Sequence, residues 1–148
     1  MGLRQALEED PRVEGMYTVN VQASATAAQT GVEILMAEHP EINVLVGLNE
    51  PLAVGVAQAA DRMGLSGRVR VVGFDTNVQC VDMMRSGVVS ALVAQNPYAM
   101  GYLGVETAWQ LLEGQNYDPN QLIDTSTTII TAENMFTIES QKALFSFG

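Results

Sequence analysis

Residues 69–114 read VRVVGFDTNVQCVDMMRSGVVSALVAQNPYAMGYLGVETAWQLLEG. Two short apolar runs, 69–74 and 88–94, each end on polar residues and lead into a helical segment. Strands this short and rich in Val, alternating with longer helical stretches, are the signature of βαβ units and a parallel sheet. The pattern repeats outward. Residues 44–48 (VLVGL) precede Asn49, Glu50 and Pro51 and a helix-like LAVGVAQAADRMG, and residues 15–21 (GMYTVNV) run into a helix from near Ser24 to His39. A fifth apolar run, 127–131, follows a turn-rich stretch. Pro51 and Pro97 stand where a first helical residue belongs, and Gly64, Gly87 and Gly114 where helices stop. The expected fold class is α/β, a doubly wound, mostly parallel sheet.

The chain has 148 residues, one domain's worth. Its apolar fraction is 47%, ordinary for a folded core, and its charged fraction is 16%, below the usual ~25%. The charge is lopsided: 17 acidic against 7 basic residues give a net −10. Seven scattered cations build no basic patch, so neither nucleic acid nor an anionic membrane surface is an expected partner. No stretch approaches the ~18 uninterrupted apolar residues of a membrane span, so no membrane insertion is expected. The opening MGLRQALEED is polar and encodes no secretory signal. A single cysteine, Cys80, rules out an intrachain disulfide and a cysteine-cluster zinc site. No metal and no cofactor is expected.

Ligands of open parallel α/β sheets bind beyond the carboxyl ends of the strands. The residues just after three successive apolar runs are Asn49, Asp75 and Gln95. Asp75 accepts hydrogen bonds and the two amides donate and accept, a set suited to a neutral polyhydroxy ligand. The competing reading is helix capping. Each helix has a nearer cap, however: Asn96 before Pro97, Thr76 or Asn77 for the next, and Glu50 before Pro51. The three strand-tip side chains are therefore expected to face a cleft.

No catalytic constellation is evident, so the chain is not expected to be an enzyme. His39, the sole histidine, sits at a helix end, where a cation complements the helix dipole. Cys80 has apolar neighbours and reads as core packing, as do Met83 and Met84. A phospho-accepting role for Asp75 would require an acidic pair and a late lysine, and the only lysine is Lys142. The glycines match no phosphate-binding loop. Tyr98, Tyr102, Val105, Trp109 and Leu112 follow helical spacing, which predicts a face packed on the sheet, with Gly101 and Gly104 allowing close approach. Tyr98 lies in that helix's first turn, beside a strand tip.

NVLVGLNEPLAVGVAQAADRMGL, the 69–114 stretch above and the strand ending TIITAEN together resemble the type I periplasmic binding proteins, nearest to the ribose/galactose-type sugar-binding branch of ABC importers. The ligand domains of LacI-type regulators share the pattern. The resemblance covers nearly the whole chain and implies two α/β lobes closing on a ligand, of which residues 1–148 match the C-terminal one. It also implies that the Asn of the N-D motif, the Asp of G-F-D and the Gln of A-x-x-Q-x-P reach the ligand; these fall on Asn49, Asp75 and Gln95. Two departures stand out. Glu50 replaces the family's usual Asp, and the region where pentose binders carry a stacking ring is Gln22, Ala23, Ser24 and Ala25, with no ring. Glu50, Tyr98 and Ala23 are accordingly secondary site candidates.

The resemblance implies a non-catalytic solute-binding role for a sugar or similar polar molecule, with ABC transporter membrane subunits as partners and an extracytoplasmic location. The alternative is the effector-sensing domain of a LacI-type regulator in the cytoplasm. It further implies that an N-terminal lobe, and this lobe's own first strand ahead of a helix at residues 3–7, lie outside the chain. In a doubly wound sheet that strand is central. Its absence would leave unpaired inner edges. The expectation is therefore a homodimer, either through pairing of those edges with another copy or with the 127–131 run redeployed.

Overall fold

Three parallel strands and the helices between them carry the core of the computed structural model, which describes residues 2–116, 118 and 121–145. The order is α1 (Gly2–Glu8), α2 (Ala25–Glu38), β1 (Val44–Gly47), α3 (Glu50–Arg62), β2 (Arg70–Phe74), α4 (Val78–Arg85), β3 (Ala91–Gln95), α5 (Pro97–Leu112), β4 (Thr127–Ile130) and α6 (Ile138–Leu144). The sheet runs β1-β2-β3-β4, parallel except for β4, which pairs antiparallel with β3. Helix stops form as the glycine spacing predicts, with Gly64, Gly87 and Gly114 at positive φ.

Register explains which face is sealed. Leu45 lies opposite Val71, Gly47 opposite Gly73, Gly73 opposite Leu92, and Leu92 opposite Ile130. All of these apolar side chains are buried. Helix α3 packs over β1 and β2 and is flanked by α2 and α4. The approach is close because the residues are small: a Cβ on Gly47 would overlap the Ala53 backbone, and one on Gly55 would overlap the carbonyl oxygen of Ala25. Cys80 and Met84 fill the same core, as expected from their apolar neighbours. The opposite face, with Val46, Val72, Phe74 and Val93, is only half-buried, and Val44 and Ile129 on it are exposed.

Several expectations are corrected here. Residues 15–21 form no strand. Val19 and Val21 lie against α2 at Gly31, and Tyr17 stacks on His39, so side chains hold the segment without a backbone ladder. The strand begun at Val88 starts only at Ala91; Val88 and Val89 are buried ahead of it. The 127–131 run is not redeployed beside β1. It forms β4 beside β3, at the other edge of the sheet, and among the described residues β1 pairs only with β2. Most telling is α5: no residue of it is buried, and the face expected to pack on the sheet points to solvent. Gly101 and Gly104 have open space where a Cβ would stand, so they mediate no close approach.

Candidate functional site

Because β1, β2 and β3 are parallel and in register, their carboxyl ends open on one edge of the sheet. Asp75 follows β2 directly, and its backbone N–H donates to the carbonyl of Val93 at 3.0 Å, pinning it to β3. That attachment brings its carboxylate to Gln95, whose Nε2 donates to Asp75 Oδ1 at 2.6 Å. Asp75 holds φ at +67°, a left-handed conformation. Such backbone costs on the order of 1–3 kcal/mol for a non-glycine residue, though Asp tolerates it better than most, and it clusters at functional sites. Asp75 is half-buried and Gln95 exposed, so the pair is braced from within and open outward. Gln95 keeps an acceptor and Asp75 a second oxygen for an incoming hydroxyl.

Asn49 departs from the expectation of a free strand-tip side chain. Its Oδ1 accepts from the Leu52 N–H at 3.0 Å, making it the N-cap of α3. The reason is one residue of register: Glu50, taken for the cap position, is already the first residue of the helix. The Asn49 Nδ2 donors are not consumed by the cap. Asn96 caps α5 as expected, and of the two candidates for α4, Thr76 and Asn77, it is Asn77 that caps it.

Glu50 is exposed in the first turn of α3, and its carboxylate accepts from Asn77 Nδ2 at 2.8 Å. The rim therefore holds two acid–amide pairs, Asp75 with Gln95 and Glu50 with Asn77. The second was missed in the sequence, where Asn77 signals only a cap; its partner is 27 residues away and nothing local announces it. Beneath the rim, burial and then the Glu50 charge push the Cys80 thiol up to about 11, leaving little thiolate at neutral pH. Tyr98 is exposed in the first turn of α5 and stacks on Tyr102, centroids 6.3 Å apart. Ala23 is exposed just before Ser24, the N-cap of α2. No hydrogen bond among the described residues ties either to the Asp75–Gln95 pair. The site can thus hold hydroxyls by paired carboxylates and amides.

Comparison with known proteins bears on the family and the fold. The periplasmic binding protein domain family matches residues 1–116. The D-ribose/D-allose-binding protein of Pseudomonas aeruginosa is 31% identical over 124 residues, covering 80% of this chain and 39% of that protein. The ribose import binding protein of Bacillus subtilis is 28% identical over 106 residues, covering 72% and 34% respectively. Among solved structures, an ABC transporter solute-binding protein from Agrobacterium vitis bound to α-D-tagatopyranose superposes with a TM-score of 0.85 at 26% identity, over 97% of this chain and 47% of that one. A carbohydrate transporter solute-binding protein from Agrobacterium radiobacter in complex with D-arabinose gives 0.80 at 28% identity, over 97% and 48%. The chain spans about half of these structures and less of the curated relatives. No helix among the described residues is long and apolar enough to cross a membrane. With its mostly parallel sheet and the match over residues 1–116, the chain belongs to the periplasmic binding protein domain family.

Proposed function

We propose that this chain is one lobe of a non-catalytic solute-binding protein that takes a sugar or similar polyhydroxy molecule for an ABC-type importer outside the cytoplasm. The observation that carries the reading is the Asp75–Gln95 pair, set 2.6 Å apart at the open ends of adjacent parallel strands. A neutral polyol needs both donors and acceptors, and this rim supplies amide donors and carboxylate acceptors side by side. Asn49 contributes through its Nδ2 donors, and Glu50 and Asn77 shape the neighbouring rim. Tyr98 and Ala23 lie at its margins. Supporting this, relatives in the family are named for ribose and allose, and neighbouring structures hold tagatose and arabinose.

The test is titration of the chain with D-ribose, D-allose, D-arabinose and D-tagatose, followed by backbone amide NMR shifts. One lobe supplies part of a ligand's contacts, so affinities near 1 mM, about −4 kcal/mol, are expected. Perturbations should centre on Asn49, Asp75 and Gln95. Asp75→Ala should weaken binding about 5- to 150-fold, the cost of about 1–3 kcal/mol for an unpaired polar group. An affinity within twofold of the parent, or shifts confined elsewhere, would refute the site.

A further inference from the structure

Five side chains cap helices among the described residues, and four of them stay with their own helix. Ser24, Asn49, Asn96 and Thr137 each accept from the first turn of the helix they open. Asn77 does more. Its Oδ1 accepts from the Gln79 N–H at 2.8 Å, opening α4, while its Nδ2 donates to the Glu50 carboxylate at the start of α3, also at 2.8 Å. Aspartate would cap α4 as well as asparagine does, but it brings no donor for a neighbour. The amide therefore joins two helix starts with its two ends.

That bridge stands where the sheet no longer holds its strands together. The last partners of the β1–β2 ladder are Gly47 and Gly73, and Asn49 and Asp75 each lie two residues past them. Beyond the ladder, the described hydrogen bond between the two strand tips is Glu50–Asn77, one residue after Asn49 and two after Asp75. Further along the same helices Gln58 reaches Gln79 only at 3.5 Å. On its other flank Asp75 is tied to β3 through its N–H to Val93 and through Gln95. The turn that carries Asp75 is thus laced on both sides, to β3 directly and to the tip of β1 through Asn77. A left-handed non-glycine backbone persists where its surroundings over-determine it, and Asp75, at φ +67°, is such a residue. Resting on the sugar-binding reading above, we propose that Glu50 and Asn77 are positioning residues, whose hydrogen bond fixes the Asp75 carboxylate relative to Asn49 so that both meet one ligand. Both ends of the Asn77 amide are engaged within the chain, so it acts through the residues it holds. Order supplied in advance tightens binding, because the ligand no longer meets the cost of arranging its own contacts.

A donor–acceptor exchange tests this. Asn77→Asp keeps the cap but sets a carboxylate against Glu50, and Glu50→Ala removes the acceptor with the cap untouched. Asn77→Asp combined with Glu50→Gln rebuilds the bond in reverse, amide on α3 and carboxylate on α4. Amide NMR without sugar reads Asp75 directly, since a left-handed residue brings its own N–H and Hα unusually close. Each single variant should shift or broaden the Asp75 amide and weaken that N–H to Hα contact, with helical circular dichroism retained. Affinity for D-ribose, D-allose, D-arabinose and D-tagatose should fall about 3- to 10-fold, the range of one net hydrogen bond. Should Asn77→Asp lose its helical dichroism, Glu50→Ala carries the same expectation. The double variant should restore the Asp75 signals and bring affinity back to within about twofold of the parent. Asp75 signals unmoved in the single variants overturn the proposal, as does a double variant no better than Asn77→Asp. Affinity lost with Asp75 in place would make the pair a ligand contact, and urea stability lost with affinity kept would make it a purely structural bond; either overturns it as well. If the parent binds none of the four sugars, the proposed function fails on its own, and the sugar-free Asp75 signals still decide the role of Glu50 and Asn77.

Discussion

Helices α3 and α5 begin and end alike, yet one is the centre of the core and the other touches almost nothing. Each has an Asn cap, a proline in its first turn and a glycine stop at positive φ. In α3, Ala53, Val54, Gly55, Val56, Ala57, Ala59 and Ala60 are all buried; in α5 no residue is. The difference is size. Helix α3 offers alanine, glycine and valine, which let it settle on β1 and β2 and against α2. Helix α5 offers two tyrosines and a tryptophan, which stand exposed along it. Caps and propensities decide where a helix forms; the volume of its side chains decides what it can lie against.

Three substitutions sharpen this contrast. The largest effect belongs to Gly55→Ala. In an exposed helix this change gains up to ~1 kcal/mol, but here the new Cβ meets the Ala25 carbonyl, so a loss of about 1–3 kcal/mol is expected in urea unfolding. A gain would mean that α2 and α3 are not in contact. Next come the caps. Asn49→Ala and Asn96→Ala should each cost about 1 kcal/mol and, caps being local, by similar amounts despite the opposite surroundings of the two helices. A cost several times larger at Asn49 would show that its role extends beyond the cap. The smallest effect is Leu112→Ala, which should change monomer stability, measured at high dilution, by no more than about 0.5 kcal/mol. A loss of 2 kcal/mol there would mean that α5 packs on its own chain.

What could be read in advance follows the same division. The β-α alternation, the Asn96 cap of α5 and the glycine stops rest on contacts within a few residues and were legible; the α4 cap was narrowed to Thr76 or Asn77. Residues 15–21 alternate as a strand does, but a strand also needs a neighbour's backbone, and Val19 and Val21 find the side of α2 instead. The apolar stripe of α5 was visible as a stripe; nothing in it said which surface would meet it. At the site, Asp75 and Gln95 were legible as strand-tip polar residues. Their mutual hydrogen bond was not, because it depends on Asp75 reaching the Val93 carbonyl across the sheet. Asn49 was misjudged by a single residue of helix register, which capping signals do not resolve.

The left-handed backbone at Asp75 sets two pressures against each other at one codon. Glycine there would relax the chain, and asparagine would accept the same geometry, so a library selected only for solubility and expression should drift toward those two residues. A library selected for retention on an immobilised sugar should keep the carboxylate. If Asp75 holds the proposed sugar, position 75 is where stabilising the chain and retaining that ligand diverge, and engineering aimed at one should leave it alone for the sake of the other.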